Sequence, residues 1–235
     1  QQLLKKPSTD PPLEIDADLR PEGKKGALVR TLESYRTYYE EWAEPWELQA
    51  LLRAEPLAGD MELGQKFIEA VNPLRYPKKL PVQVTQQIRR MKVRVETERM
   101  PRGVDPSLHT KLGRGSLSDI EWTVQLLQLQ HAYAYPELQV TSTRAALEAA
   151  TQAGLLSLDD EDTLWIAWSR ATSTRNALAL AKGRPLDVLP IQGDILSSVA
   201  AICGWPVNAG ADYVENYLKS TRRARKVVER VFWGE

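Results

Sequence analysis

From about position 30 onward, apolar residues recur at intervals of three and four, the spacing that gathers them on one face of an α-helix. Leu32, Tyr35, Tyr39 and Trp42 share such a face, and Pro45, tolerated in a first turn, opens a second helix through Leu48, Leu51 and Leu52. Asp60 is placed to cap a third helix carrying Leu63, Phe67, Ile68 and Val71, which Asn72-Pro73 is expected to stop. Val84, Ile88, Met91 and Val95 make the next stripe, ending before Met100-Pro101-Arg102-Gly103. Ser116 starts a helix with Asp119 at capping-box spacing and Ile120, Val124 and Leu127 along one face. Thr141 to Ala153, Asp160 to Lys182 and Asp194 to Cys203 close at Gly154, Gly183 and Gly204, and a segment from Ala211 to Trp233 is last. The start of the chain differs. Gln1 to Pro12 is polar with three prolines and reads as a loop, after which period-two alternation predicts a strand from Leu13 to Leu19.

These elements predict a mainly α protein, a helical bundle attached to a remnant of an α/β domain. Residues 1–73 hold the strand and the first helices, 74–81 form a linker with two prolines and two lysines, and 82–235 form the bundle. Composition is that of an ordinary globular chain, 43% apolar and 26% charged. With 31 basic and 31 acidic residues, no global field draws it to nucleic acid or to an anionic membrane. The single cysteine, Cys203, excludes an internal disulfide, and its apolar neighbours make it a core thiol. No apolar run approaches a membrane span and the N-terminus has no apolar signal core, so the expected compartment is the cytoplasm.

Two segments carry chemistry. Strand alternation puts Glu14, Asp16 and Asp18 on one face, opposite Ile15, Ala17 and Leu19, and three carboxylates in a row repel one another. Two readings stand: an exposed edge strand, or a row neutralised by a hard cation such as Mg²⁺. Arg20 can pair with phosphate, and Pro21-Glu22-Gly23-Lys24-Lys25-Gly26 forms a turn bearing more positive charge. Further on, Gly113 and Gly115 flank Arg114 just before a helix, with Lys111 nearby. Such a loop suits a phosphate at a helix N-terminus, although spacing alone favours a structural turn. Asp119 and Glu121 are first-turn acids that complement the helix dipole, and both are candidates for a domain interface. His109 and His131 have no ligand-spaced partners and read as solvent-facing, not as zinc ligands. Trp42, Trp165 and Trp168 fall in helical apolar patterns and read as core. The last helix carries Lys219, Arg222, Arg223, Arg225, Lys226 and Arg230, a solvated basic face or a docking surface for an acidic partner.

Glu14-Ile15-Asp16-Ala17-Asp18-Leu19-Arg20-Pro21-Glu22-Gly23, with Gly26-Ala27-Leu28-Val29-Arg30, resembles the glutamine synthetase adenylyltransferase family. So does Lys111-Leu112-Gly113-Arg114-Gly115-Ser116-Leu117-Ser118-Asp119-Ile120-Glu121-Trp122-Thr123-Val124-Gln125, and Trp46 to Ala54 with Gly59-Asp60 is similar too. The ending Arg222 to Gly234 resembles the family's extreme C-terminus, which implies the AMP-attaching half of a duplicated enzyme. The resemblance implies a nucleotidyltransferase that moves AMP from ATP to a tyrosine of glutamine synthetase with two Mg²⁺ ions. Asp16 then matches the third metal-binding carboxylate, and no role transfers to Asp18, where many relatives carry Arg. It also implies phosphate or nucleotide contacts for Arg20, Lys111, Gly113, Arg114 and Gly115, and a PII-type signal protein as a second partner. The family's Gly-Ser-Asp-x-Asp signature is missing from this sequence, so the chain is expected to be a piece of a larger enzyme and inactive alone. The alternative is a purely regulatory module that docks glutamine synthetase and the PII-type protein. Nucleic-acid binding by the basic last helix is disfavoured by the balanced charge.

Overall fold

The computed structural model describes residues 16–206 and 208–235. The chain divides into two compact units, Gln1–Arg75 and Tyr76–Glu235. Among the described residues there is no strand, only an isolated antiparallel bridge between His109 and Val188.

The first unit holds α1 (Leu32–Glu41), α2 (Pro45–Leu51) and α3 (Met61–Arg75). Pro45 does occupy the first turn of α2, and the Asp60 carboxylate accepts the Leu63 N–H at 3.0 Å to cap α3. Tyr39, Leu51 and Val71 are buried together, with Tyr35 and Phe67 edge to face at 5.3 Å. Three sequence readings change here. The predicted strand is a turn over the part that is described, 16–20, because no neighbouring strand among the described residues offers a ladder and the backbone bonds locally instead. Glu14 and the loop Gln1 to Pro12 lie outside the described residues. Asn72-Pro73 does not stop α3. Proline there forfeits one backbone bond, and buried Arg75 offsets it by donating to Asn72 Oδ1 (2.8 Å) and to the carbonyls of Leu51 and Ala54 (both 3.1 Å). Trp42 is no core residue: it follows the end of α1 and is 71% exposed.

The second unit holds α4 (Val82–Arg99), α5 (Leu117–His131), α6 (Thr143–Gln152), α7 (Leu158–Lys182), α8 (Asp194–Ile202) and α9 (Gly210–Val228). Helix α7 packs against α5, α6, α8 and α9. Ala171, Leu178, Val199 and Tyr217, all fully buried, fill the space around it. Small residues on α7 let α8 and α9 approach, and the bulk comes from Tyr213 and Tyr217 of α9. The last helix ends earlier than its apolar pattern suggests, passing into a wider π-turn over Glu229–Trp233 that tucks Phe232 into the core. Helix α4 joins the bundle through long side chains: Arg89 Nε donates to the Phe232 carbonyl at 2.7 Å, and Lys92 is 1% exposed.

Candidate functional site

Asp16 is exposed at the mouth of a tightly bonded turn. Its Oδ1 accepts the Asp18 N–H at 2.8 Å, and Asp16 has no ion-pair partner among the described residues. Asp18 is turned to cations, 3.4 Å from Lys24 Nζ and 3.9 Å from Arg20 Nη1. The Arg20 guanidinium clamps the turn itself, donating to the carbonyls of Ala17 (2.6 Å), Gly26 (3.0 Å) and Lys24 (3.1 Å). A relay ties this turn to the helices. The Glu22 N–H donates to Tyr38 Oη (3.3 Å), and Tyr38 donates to Glu47 Oε1 (2.9 Å). Buried Glu47 also accepts the Glu44 N–H at 2.8 Å. The turn is therefore pre-formed, and of its carboxylates Asp18 and Glu22 face cations while Asp16 has no ion pair among the described residues. Among the described residues no group of three acidic, histidine or cysteine side chains is arranged to hold a metal ion. What is described fits one ligand of a metal site, not a complete one.

The glycine segment of the second unit has a different construction. Gly113 and Gly115 are buried, whereas Lys111 and Arg114 are exposed. Gly115 lies at φ +70°, and a Cβ there would stand 1.9 Å from the Thr221 carbonyl oxygen on α9. A Cβ on Gly113 would meet the His109 carbonyl oxygen at 2.4 Å. Both glycines thus let backbone meet backbone inside the bundle. The amide donors are spent internally: Gly113 N–H on His109 O (2.8 Å), Ser116 N–H on Gly113 O (3.0 Å) and Gly115 N–H on Asp119 Oδ2 (2.6 Å). The anion seated in this loop is the chain's own Asp119.

Asp119 does far more than complement a helix dipole. It is 1% exposed, with Oδ1 2.6 Å from Lys92 Nζ and Oδ2 3.1 Å from Arg225 Nη1. Lys92 also reaches Glu96 at 2.5 Å, and Arg225 reaches Glu229 at 2.8 Å. One carboxylate thus joins α4, the start of α5 and α9. Burial pushes the Asp119 carboxyl up, and the Lys92 ammonium, the Gly115 N–H and Arg225 together outweigh it, so the net direction is down. The capping box does not form: the Ser116 hydroxyl donates to the Thr110 carbonyl instead, because Tyr217 and the bridge segment enclose it. Glu121 accepts the Trp168 indole N–H at 3.2 Å, a contact within the bundle. His109 is not solvent-facing. It is 3% exposed, its Nδ1 accepts the Leu112 N–H at 3.1 Å, and burial lowers its pKa. His131 is half-buried. Lys92 is the residue that the sequence reading passed over, although it lies one helical turn from both Ile88 and Glu96, which places it on the apolar stripe of α4.

Two family models match the chain: glutamate-ammonia ligase adenylyltransferase over residues 1–70, and GlnD PII-uridylyltransferase over residues 83–233. The bifunctional glutamine synthetase adenylyltransferase/adenylyl-removing enzyme of Mycobacterium avium (strain 104) is 55% identical over 231 residues, 98% of this chain and 23% of that protein. The chain belongs to the glutamine synthetase adenylyltransferase family. The enzyme of the same name from Nocardia farcinica is 55% identical over 234 residues, covering 99% of this chain, and that from Mycobacterium leprae 53% over 231. The chain spans 23% of the length of each of these adenylyltransferase relatives. Among the described residues no helix is long and apolar enough to cross a membrane.

Proposed function

We propose that this chain is part of an enzyme that transfers AMP from ATP to a tyrosine of glutamine synthetase and so regulates nitrogen assimilation. The observation that carries this reading is the identity of 55% over 98% of the chain with a bifunctional glutamine synthetase adenylyltransferase/adenylyl-removing enzyme. In the reaction the tyrosine oxygen forms a bond to the α-phosphorus of ATP, the bond to the bridging oxygen breaks, and pyrophosphate leaves. Asp16 would hold one carboxylate position for Mg²⁺, which when bound would neutralise phosphate charge, with the full-length protein supplying the other ligands. Arg20, Tyr38 and Glu47 keep the turn that presents Asp16 in one shape. Lys111 and Arg114 have exposed cationic side chains, which supports them as phosphate contacts ahead of Gly113 and Gly115. A docking role for the bundle, with a PII-type protein as partner, is supported by the PII-uridylyltransferase model that matches 83–233.

In the full-length enzyme, Asp16→Asn preserves shape and removes a ligating charge, and it is expected to lower kcat at least about a hundredfold with folding intact. Asp18→Asn, whose carboxylate faces Lys24 and Arg20, is expected to be much milder. Steady-state adenylylation of glutamine synthetase measures both, and equal losses would remove Asp16 from the metal site. The present chain, incubated with ATP, Mg²⁺ and glutamine synthetase, is expected to incorporate no AMP above background. Turnover by this chain would mean that it carries a complete site of its own.

A further inference from the structure

The basic residues along and just past α9 differ in their partners. Arg225 is consumed by Asp119 and Glu229, and Arg230, just past the helix, by Asp160 at 2.5 Å. Lys219 and Arg223 have no ion-pair partner among the described residues, and neither has Arg170 on α7. These three cations line one cavity of about 230 Å³ between α7 and α9, together with Ile166, Asn216 and Ser220. Among the described residues no carboxylate lines it. In a chain of zero net charge with as many acids as bases, that arrangement is not a product of overall composition.

Arg170 is half-buried and held in place, its Nη1 donating to the Asn216 carbonyl at 3.1 Å. Burial lowers its pKa, the sign of a cation that has given up water without gaining a counter-ion. Helical register supplies the convergence: Ile166 and Arg170 lie one turn apart on α7, as do Asn216 and Ser220, and Lys219 and Arg223, on α9. Asn216 Oδ1 is buried with no hydrogen-bond partner among the described residues. The cavity is smaller than a drug-sized pocket. A second cavity of about 340 Å³ shares Ile166 and Arg170 with it and is walled by Trp165, Trp205 and Tyr213, giving room for an organic body beyond a bound phosphoryl group.

We propose that the cavity between α7 and α9 is a phosphoryl-binding site, with Arg170, Lys219 and Arg223 as the anion contacts. It shares no residue with the Asp16 turn or with the glycine segment, and it does not depend on the adenylylation reading. Inorganic phosphate and phenyl phosphate, each titrated calorimetrically into this chain in a phosphate-free buffer, are expected to saturate one site with Kd of about 1 mM or below. The tighter of the two identifies the source, an organic phosphate if phenyl phosphate wins and the free ion if phosphate does; either supports the site. Arg170→Met and Arg223→Gln are each expected to weaken binding at least about tenfold, while Lys226→Gln, on the same helix but outside the cavity, leaves it unchanged. Arg223 is exposed, so its variant tests the proposal even if Arg170→Met fails to fold. Absence of saturable binding, displacement by succinate as readily as by phosphate, or an equal loss in Lys226→Gln would each overturn it.

Discussion

Asp119→Leu is expected to destabilise the second unit by roughly 3–5 kcal/mol, the usual cost of removing one member of a buried ion pair. The substitution strips Lys92, itself 1% exposed, of its closest buried partner and leaves the Gly115 N–H with no acceptor. Glu96 then has to neutralise Lys92 alone, from a side chain that is 24% exposed. Lys92→Met should be milder, because Asp119 keeps Arg225 and the Gly115 N–H while the methionine keeps apolar bulk beside the Trp122 and Phe232 rings, which lie 5.7 and 6.0 Å from the lysine Nζ. Denaturant unfolding of both variants measures the difference. Equal costs would show that the pair, not the asymmetry of its partners, sets the stability.

The same cluster predicts an acid limb. The pKa of Asp119 is lower folded than unfolded, so its contribution is complete above the ordinary carboxylate range and is lost as pH falls through the folded value. Glu96 faces the same lysine but is raised, chiefly by burial, and opposes this trend: its contribution is complete at low pH and fades as pH rises. Lys92 and Glu96 on α4, with Arg225 on α9 and Glu229 just beyond it, are the charged groups of this cluster. Stability is expected to fall below about pH 4, and the fall should flatten in Asp119→Asn.

The second large effect is expected at Gly115. An alanine there must hold φ +70°, at about 1–2 kcal/mol, and must place a Cβ 1.9 Å from the Thr221 carbonyl oxygen and 2.9 Å from the Arg225 nitrogen. Both atoms belong to the backbone of α9 and cannot swing aside, so α9 has to move and carry Arg225 away from Asp119. A loss above about 3 kcal/mol, or failure to fold, is expected. Gly154 gives the control. It has nearly the same φ, +72°, with nothing within 4 Å of the place a Cβ would take, so Gly154→Ala should cost only the local strain, about 1 kcal/mol. The denaturant midpoints of the two variants separate strain from collision, and similar values would remove the collision from the account.

Much of the helical layout was legible because its signals are local. Asp60 caps α3, Pro45 opens α2, and Gly154 and Gly183 end their helices in left-handed conformations. The readings that changed depended on partners distant in sequence. Leu13 to Leu19 alternates like a strand, but alternation states only which faces a strand would have, and the described part of the segment closes into an Asp16-centred turn. Asn72-Pro73 carries a stop signal that the grip of Arg75 on α2 overrides. Trp42 matched a helical apolar face yet stands past the last turn of α1, left 71% exposed by the packing around it.

The candidate sites divide along the same line. The family motifs singled out Asp16 and the glycine segment, since motif residues are contiguous and their types are visible. Which anion occupies the glycine loop was not visible, because Lys92 and Arg225, the partners of Asp119, come from helices 27 and 106 positions away in the chain. A Gly-x-Gly before a helix reads the same whether its amides await a phosphate or hold a carboxylate four residues on. Likewise six basic residues near the end of the chain form one charged face in the sequence, and only packing against α5 and α7 separates Arg225 and Arg230, which are neutralised, from Lys219 and Arg223, which line a cavity. Family, most helices and caps such as those of Asp60 and Pro45 follow from residue order, because motif identity and periodicity are properties of near neighbours; the capping box at Ser116 and the stop at Pro73 failed where distant partners intervened. Which charges are buried, paired or left open follows from packing, because a charge's environment is set by whatever lies against it, and in this bundle that comes from distant parts of the chain.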